Sequence, residues 1–180
     1  WRMVKFLESD NIYLKKLSPS ENLNNYLEMV NDVNELVYID ELGRFPFNLV
    51  DLESYIQNVK GLFLSIFNKN NEHVGNIRVT DVHPINKHCS FGILLNSKFR
   101  NNGYAKEASQ LIIQHIFMNL NVHRIELFVA VNNKAAIRLY ETLGFIKEGY
   151  KRESIWVNGR YEDLLIYSIL YTEFKERNDG

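Results

Sequence analysis

Ile93-Leu94-Leu95, followed at once by Asn96-Ser97-Lys98-Phe99 and then Arg100-Asn101-Asn102-Gly103-Tyr104-Ala105-Lys106, is the stretch on which the fold turns. An apolar strand ends, a short loop with one glycine follows, and a helix opens. From about Gly103 to Asn119, Tyr104, Ala108, Leu111, Ile112, His115 and Ile116 recur at three- and four-residue steps, so this segment reads as an amphipathic helix. The first amides of such a helix lack intrahelical acceptors, and with the helix dipole they make an anion site. Gly103 lets the backbone approach a phosphate closely, Ala105 keeps the next turn uncluttered, and Arg100 adds a positive charge at the rim. The loop lacks the Lys-Ser/Thr of a Walker sequence and the three glycines of a dinucleotide fingerprint. Taken alone, it is equally an ordinary helix start.

Upstream, the period is that of strands. Leu62 to Phe67, His73 to Val82 and Cys89 to Leu95 are joined by the turns Asn68-Lys69-Asn70-Asn71 and His83-Pro84-Ile85-Asn86-Lys87, which makes them an antiparallel meander. Before them, Ile12, Leu14 and Leu17 mark a short strand. Ser18-Pro19-Ser20-Glu21 starts a helix carrying Leu23, Tyr26, Leu27 and Val30, and Asp51 opens a second with Leu52, Tyr55, Ile56 and Val59. The segment Leu36 to Val50 between these helices is aromatic and irregular, suited equally to lining a pocket and to filling a core.

Downstream, Ile125 to Val131 is a strand and Asn133 to Leu143 a helix, with Asn133 as its N-cap and Gly144 as its C-cap. The chain is strand-like again from Phe145. Asn158-Gly159 turns a hairpin between Ser154-Ile155-Trp156-Val157 and Leu164-Leu165-Ile166-Tyr167. The order predicts an α+β fold with a mixed, mostly antiparallel central sheet of about seven strands flanked by about four helices, and it excludes a doubly wound Rossmann sheet.

Composition narrows the partners. The 180 residues, 46% hydrophobic and 13% aromatic, suit one domain spanning 1–180, with its core over about 11–172 and a charged tail, Lys175 to Gly180, that frays. Twenty-one basic against 22 acidic side chains leave a net charge of -1, which supplies no global field for nucleic acid or an anionic membrane. The single cysteine, Cys89, excludes an intramolecular disulfide and fits a reducing compartment. With no apolar run of membrane-spanning length and no secretory signal, a cytoplasmic protein is expected. Trp1 and Arg2 precede Met3 and receive no function. His83 and His88 lack metal-ligand spacing, and no metal is expected.

The loop Arg100 to Ala105, followed by Asn133-x-x-Ala136-x-x-x-Tyr140-Glu141-x-x-Gly144-Phe145, resembles the signature of the GNAT superfamily of acetyl-CoA-dependent N-acetyltransferases. The resemblance covers roughly 13–171. His123-Arg124-Ile125-Glu126 and Asn158-Gly159-Arg160-Tyr161-Glu162-Asp163 are similar to the branch of spermidine acetyltransferases and ribosomal-protein N-terminal acetyltransferases. It implies that acetyl-CoA is the cosubstrate. Arg100, Asn101, Asn102, Gly103, Tyr104, Ala105 and Lys106 would hold its pyrophosphate. Ile93, Leu94 and Leu95 would line the pantetheine, and Asn133 and Ala136 the cofactor arm.

Tyr140 would be the general acid for the departing thiolate. Where several family members carry a Glu on the 89–95 strand, this chain has Cys89 and Ser90. Glu126, sharing a strand face with Phe128, is the substitute candidate for the base, and a surface or ion-paired glutamate is the plainer reading. Ser90, Tyr38, Asp40 and Glu41 are placed on the acceptor side, where two carboxylates beside aromatics suit a polyamine such as spermidine. A peptide N-terminus and an amino sugar stay open, as does a non-catalytic acyl-CoA-binding domain. A homodimer is compatible with the family, and no sequence feature selects it.

Overall fold

The computed structural model describes residues 4–17, 23–34, 36–38 and 44–179. The expected helix start Ser18 to Glu21, and Asp40 and Glu41, lie outside the described residues. In chain order the strands are β1 (Leu7–Glu8), β2 (Ile12–Lys15), β3 (Leu62–Asn68), β4 (His73–Thr80), β5 (His88–Leu95), β6 (Arg124–Ala130), β7 (Ile146–Val157) and β8 (Arg160–Leu170). The helices are α1 (Asn24–Val30), α2 (Leu49–Asn58), α3 (Tyr104–Asn119), α4 (Lys134–Leu143) and α5 (Tyr171–Asp179). The strands form one sheet in the order β1-β2-β3-β4-β5-β6-β8-β7, every neighbouring pair antiparallel except β5 with β6.

Two layers cover this sheet. Ala108, Ile112, Ile113, Ile116 and Phe117 of α3 meet Ile77, Val79, Cys89, Phe91, Ile125, Leu127 and Ile169 on one face, where α4 adds Tyr140. On the other face Tyr26, Met29 and Val30 of α1 and Leu52 and Ile56 of α2 meet Tyr13, Phe63 and Phe67. That second layer spans the β2–β5 half. Over β6, β8 and β7 the same face carries only a small cluster of Ala130, Ile155 and Val157, against which Val37, Tyr38 and Leu164 pack. β3 is buried on both faces, Leu64 and Ile66 toward α3, Phe63 and Phe67 toward α1, so its sequence is a continuous apolar run rather than an alternation.

Local chemistry sets the element ends. Asn48 and Asp51 bond each other's backbone amides in a capping box, so α2 starts at Leu49 and Asp51 sits in its first turn rather than opening it. Asn133 Oδ1 accepts from Ala136 N at 3.2 Å and starts α4. The described residues hold eight strands and five helices against an expectation of about seven and four. The added strand is the two-residue β1, paired only with β2. The added helix is α5: the tail expected to fray is helical to Asp179. Its charges hide an inner face on which Tyr171 and Phe174 contact Phe117, at ring distances of 5.9 and 5.0 Å. Among the described residues no helix is long and apolar enough to cross a membrane.

Candidate active site

β5 and β6 run parallel but pair over only three residues, His88 with Arg124, Cys89 with Ile125 and Ser90 with Glu126. Beyond Ser90 they diverge. β5 continues to Leu95 on its β4 partner, and β6 continues to Ala130 on its β8 partner. The Phe91–Leu95 edge that faces β6 therefore has backbone donors and acceptors without a strand partner. Such an edge pairs with any extended amide-bearing ligand.

The wedge opens into a cleft of about 480 Å³. Ile93, Leu94 and Leu95 form one wall, and Arg100, Asn101 and Ala105 another. Asn133, Ala136 and Tyr140 of α4 and its cap close the third, and Tyr38 reaches in from the segment between α1 and α2. These ten expected residues are brought together. Asn34, Val37, Ala135 and Leu139 join them and went unread in the sequence. Leu139 was within reach, standing three residues from Ala136 on one helical face. Asn34 and Val37 carry no pattern that signals a cleft.

Asn102, Gly103, Tyr104 and Lys106 do not line it. Asn102 instead braces the loop, its Nδ2 donating to the Phe99 and Arg100 carbonyls at 3.2 and 3.1 Å. Tyr104 packs against the main core. Gly103 stands just before α3 at φ 80° with nothing within 4 Å of where a Cβ would be. Its requirement is thus the left-handed backbone, not lack of room. The first backbone bond of α3 runs from Glu107 N to the Gly103 carbonyl. Among the described residues the N–H groups of Asn101 to Lys106 have no acceptor, and since Arg100, Asn101 and Ala105 of this turn line the cleft, unpaired amides, the helix dipole and the Arg100 charge meet at that wall. That wall fits a pyrophosphate, and the open β5 edge fits the amides of a pantetheine arm.

On the opposite wall Tyr140 is buried between Phe91 and Phe145, at ring distances of 6.2 and 5.8 Å. Its hydroxyl has no hydrogen-bond partner among the described residues. Burial pushes the phenol up to about 12, so it holds its proton throughout the neutral range.

Glu126 is not brought into the cleft. Period two places it on the sheet face away from α3, beside Ser90 and Ser168 in register. There it accepts from Arg124 Nε at 3.4 Å, while Arg124 also grips Glu148 through both terminal nitrogens, one at 2.7 Å. The ion-paired reading of Glu126 is the one the geometry carries. Cys89 points into the core, and burial is the main cause that pushes its thiol up to about 12. His83 and His88 stack at 5.1 Å, and His83 Nδ1 accepts from the Asn86 amide at 3.0 Å, a turn-stabilising role.

A mixed sheet splayed between two parallel strands, with free helix-start amides at one wall of the splay and a buried phenol at the other, is the acyltransferase architecture of the GNAT fold. Residues 11–146 match the Acetyltransferase (GNAT) domain, and the chain belongs to that family. It is 31% identical over 106 residues to the spermidine N(1)-acetyltransferase of Vibrio cholerae, covering 59% of this chain and 61% of that protein. It is 29% identical over 101 residues to the ribosomal N-acetyltransferase-like protein YdaF of Bacillus subtilis, covering 56% and 55%. The chain thus spans little more than half the length of these curated relatives. Among solved structures, spermidine N-acetyltransferase from Vibrio cholerae in complex with CoA and spermine superposes with a TM-score of 0.82 at 25% identity, over 91% of this chain and 97% of that one.

Proposed function

We propose that the protein transfers an acetyl group from acetyl-CoA to a primary amine, and the observation that carries this is the wedge itself. The turn of unpartnered amides from Asn101 to Lys106, whose Asn101 and Ala105 line the cleft, an unpaired β5 edge and Tyr140 meet there. The amide wall holds the pyrophosphate, Ile93 to Leu95 hold the pantetheine, and the free Nδ2 of Asn133 donates to the arm while its Oδ1 caps α4. The thioester supplies an activated acetyl group. A backbone N–H on the open edge of β5 donates to its carbonyl oxygen as negative charge develops there. The amine nitrogen forms the new bond to carbon as the carbon–sulfur bond breaks. Tyr140 gives its proton to the leaving sulfur, and the proton shed by the amine returns through water. Because Glu126 is engaged by Arg124, the residues assign no dedicated carboxylate base.

For the acceptor, a polyamine is supported by the relatives named as spermidine acetyltransferases. A peptide N-terminus is supported by the ribosomal relative. Thiol release from acetyl-CoA with a panel of polyamines, amino acids, amino sugars and peptides tests the reading. CoA binding without turnover on any amine would favour the non-catalytic domain, for which the Ser90 hydroxyl in place of a carboxylate is the supporting observation.

A further inference from the structure

Tyr140 is buried in the α3-side core, so that face of the wedge is closed and an acceptor reaches it from the α1–α2 face. On that face β5 presents Ser90, Gly92 and Leu94 by period two, and Leu94 packs on the α1–α2 cluster. Nothing stands within 4 Å of where a Cβ on Gly92 would be. Directly opposite Gly92 across the ladder is Arg78. Paired residues project to the same face, about 5 Å apart at Cα. Arg78 is the one exposed residue of β4, most of which is buried. Its guanidinium donates to the Tyr55 hydroxyl at 3.2 Å and has no carboxylate partner among the described residues.

Among the described residues, part of the charge on the β6–β8 half of the sheet is already paired, while the buried Oε2 of Glu162 has no partner. Arg124 holds Glu126 and Glu148, and Arg160 holds Glu162. Lys151 lies over the Phe128 ring at 3.9 Å. Among the described residues, Arg78 and Lys151 are cations on this sheet face without a carboxylate partner.

We propose that Arg78 sets acceptor specificity, selecting a small amine that bears an anionic group, carboxylate or phosphoryl, over a polyamine. The proposal rests on the acetyltransferase reading and names its substrate class. The guanidinium presents planar, charge-assisted donors to the anion over Gly92, while the amine reaches the wedge.

The test compares kcat/KM for β-alanine, phosphoethanolamine, propylamine, diaminopropane and spermidine, by thiol release from acetyl-CoA. The anionic amines are expected to exceed propylamine by about tenfold or more, with diaminopropane and spermidine below it. Phosphoethanolamine above β-alanine assigns a phosphoryl group, and the reverse order a carboxylate. Arg78→Gln should bring the anionic amines down to the propylamine level, and Arg78→Glu should reverse the order, with unchanged thermal melts showing that both variants fold. A wild-type preference for diaminopropane or spermidine, or an order unmoved by Arg78→Glu, overturns the proposal. Absence of turnover with every amine overturns the acetyltransferase reading instead. The affinities of the same amines for the CoA-saturated protein, by calorimetry, then decide the charge preference on the same criteria.

Discussion

Replacing Tyr140 by Phe removes one oxygen from a buried ring and leaves the rest in place. The Phe91 and Phe145 contacts are ring contacts and survive, and among the described residues the lost hydroxyl has no partner whose bond would be broken. Stability should therefore stay within about 0.5 kcal/mol of wild type, since no hydrogen bond within the protein is lost. Acetyl-CoA affinity should change by less than about twofold. Proton donation to the departing sulfur is lost, and general acid catalysis contributes about 10²–10⁴ in rate, or about 3–5 kcal/mol in the barrier.

The wild-type pH profile carries a second signature. Burial disfavours the charged phenolate and raises the phenol from 10 to about 12, so the acid form persists up to that pH. No alkaline fall in kcat centred below about pH 11 can belong to Tyr140. Stopped-flow thiol release gives kcat, and urea melts give stability. Turnover within about threefold of wild type would refute the assignment of Tyr140 as the acid. A stability loss of several kcal/mol would refute the packing argument.

Other consequences separate structural from chemical roles. Gly144→Ala combines a φ of 97° with a Cβ that runs into the Arg177 guanidinium, whereas Gly103→Ala meets only a φ of 80° in open space. Both should lose about 1 kcal/mol in urea melts, Gly144→Ala more, and only Gly103→Ala should also weaken acetyl-CoA binding. Cys89 should resist aromatic disulfide reagents in the native state at pH 8 and react on unfolding. Cys89→Ala should keep turnover within a few-fold, a larger loss being evidence against the direct-transfer mechanism. Hydrogen bonding by Arg124 lowers Glu148 to about 2, so its contribution to stability is present above the usual carboxylate range near 4.5 and is lost as pH falls toward 2. Acid melts of wild type and Glu148→Gln should converge over that window, and a difference that persists at pH 2 would contradict the ion-pair account.

The parts of the fold that rest on local chemistry were legible in the sequence. Asn133 and Gly144 bound α4, Gly103 precedes α3, and the apolar runs of β3 to β5 need no partner to be recognised. β7 follows the strand-like reading from Phe145, although bulges at Lys147/Gly149 and Lys151/Ile155 break its alternation and an edge strand tolerates the charges Lys151, Arg152 and Glu153. α5 was missed because only Tyr171 and Phe174 of its nine residues touch the core. At the site, Arg100, Asn101 and Ala105 of the loop motif and Asn133, Ala136 and Tyr140 of the α4 motif line one cleft, while Asn102, Gly103, Tyr104 and Lys106 do not. Glu126 does not either, since its orientation depends on Arg124 and Glu148, and Glu148 lies on another strand. Arg78 and Gly92 are joined only by the β4–β5 register, which no local pattern records.

The central claim is that the β5–β6 wedge holds the acyl carrier. A crystal structure with acetyl-CoA tests it most directly, because the groove between α3 and α5, about 630 Å³, is larger than the cleft. The pyrophosphate is expected on the Asn101 to Lys106 amides, the pantetheine along Ile93 to Leu95, and the thioester sulfur beside the Tyr140 hydroxyl. Acetyl-CoA lodged in the α3–α5 groove, with the wedge empty, would contradict the account.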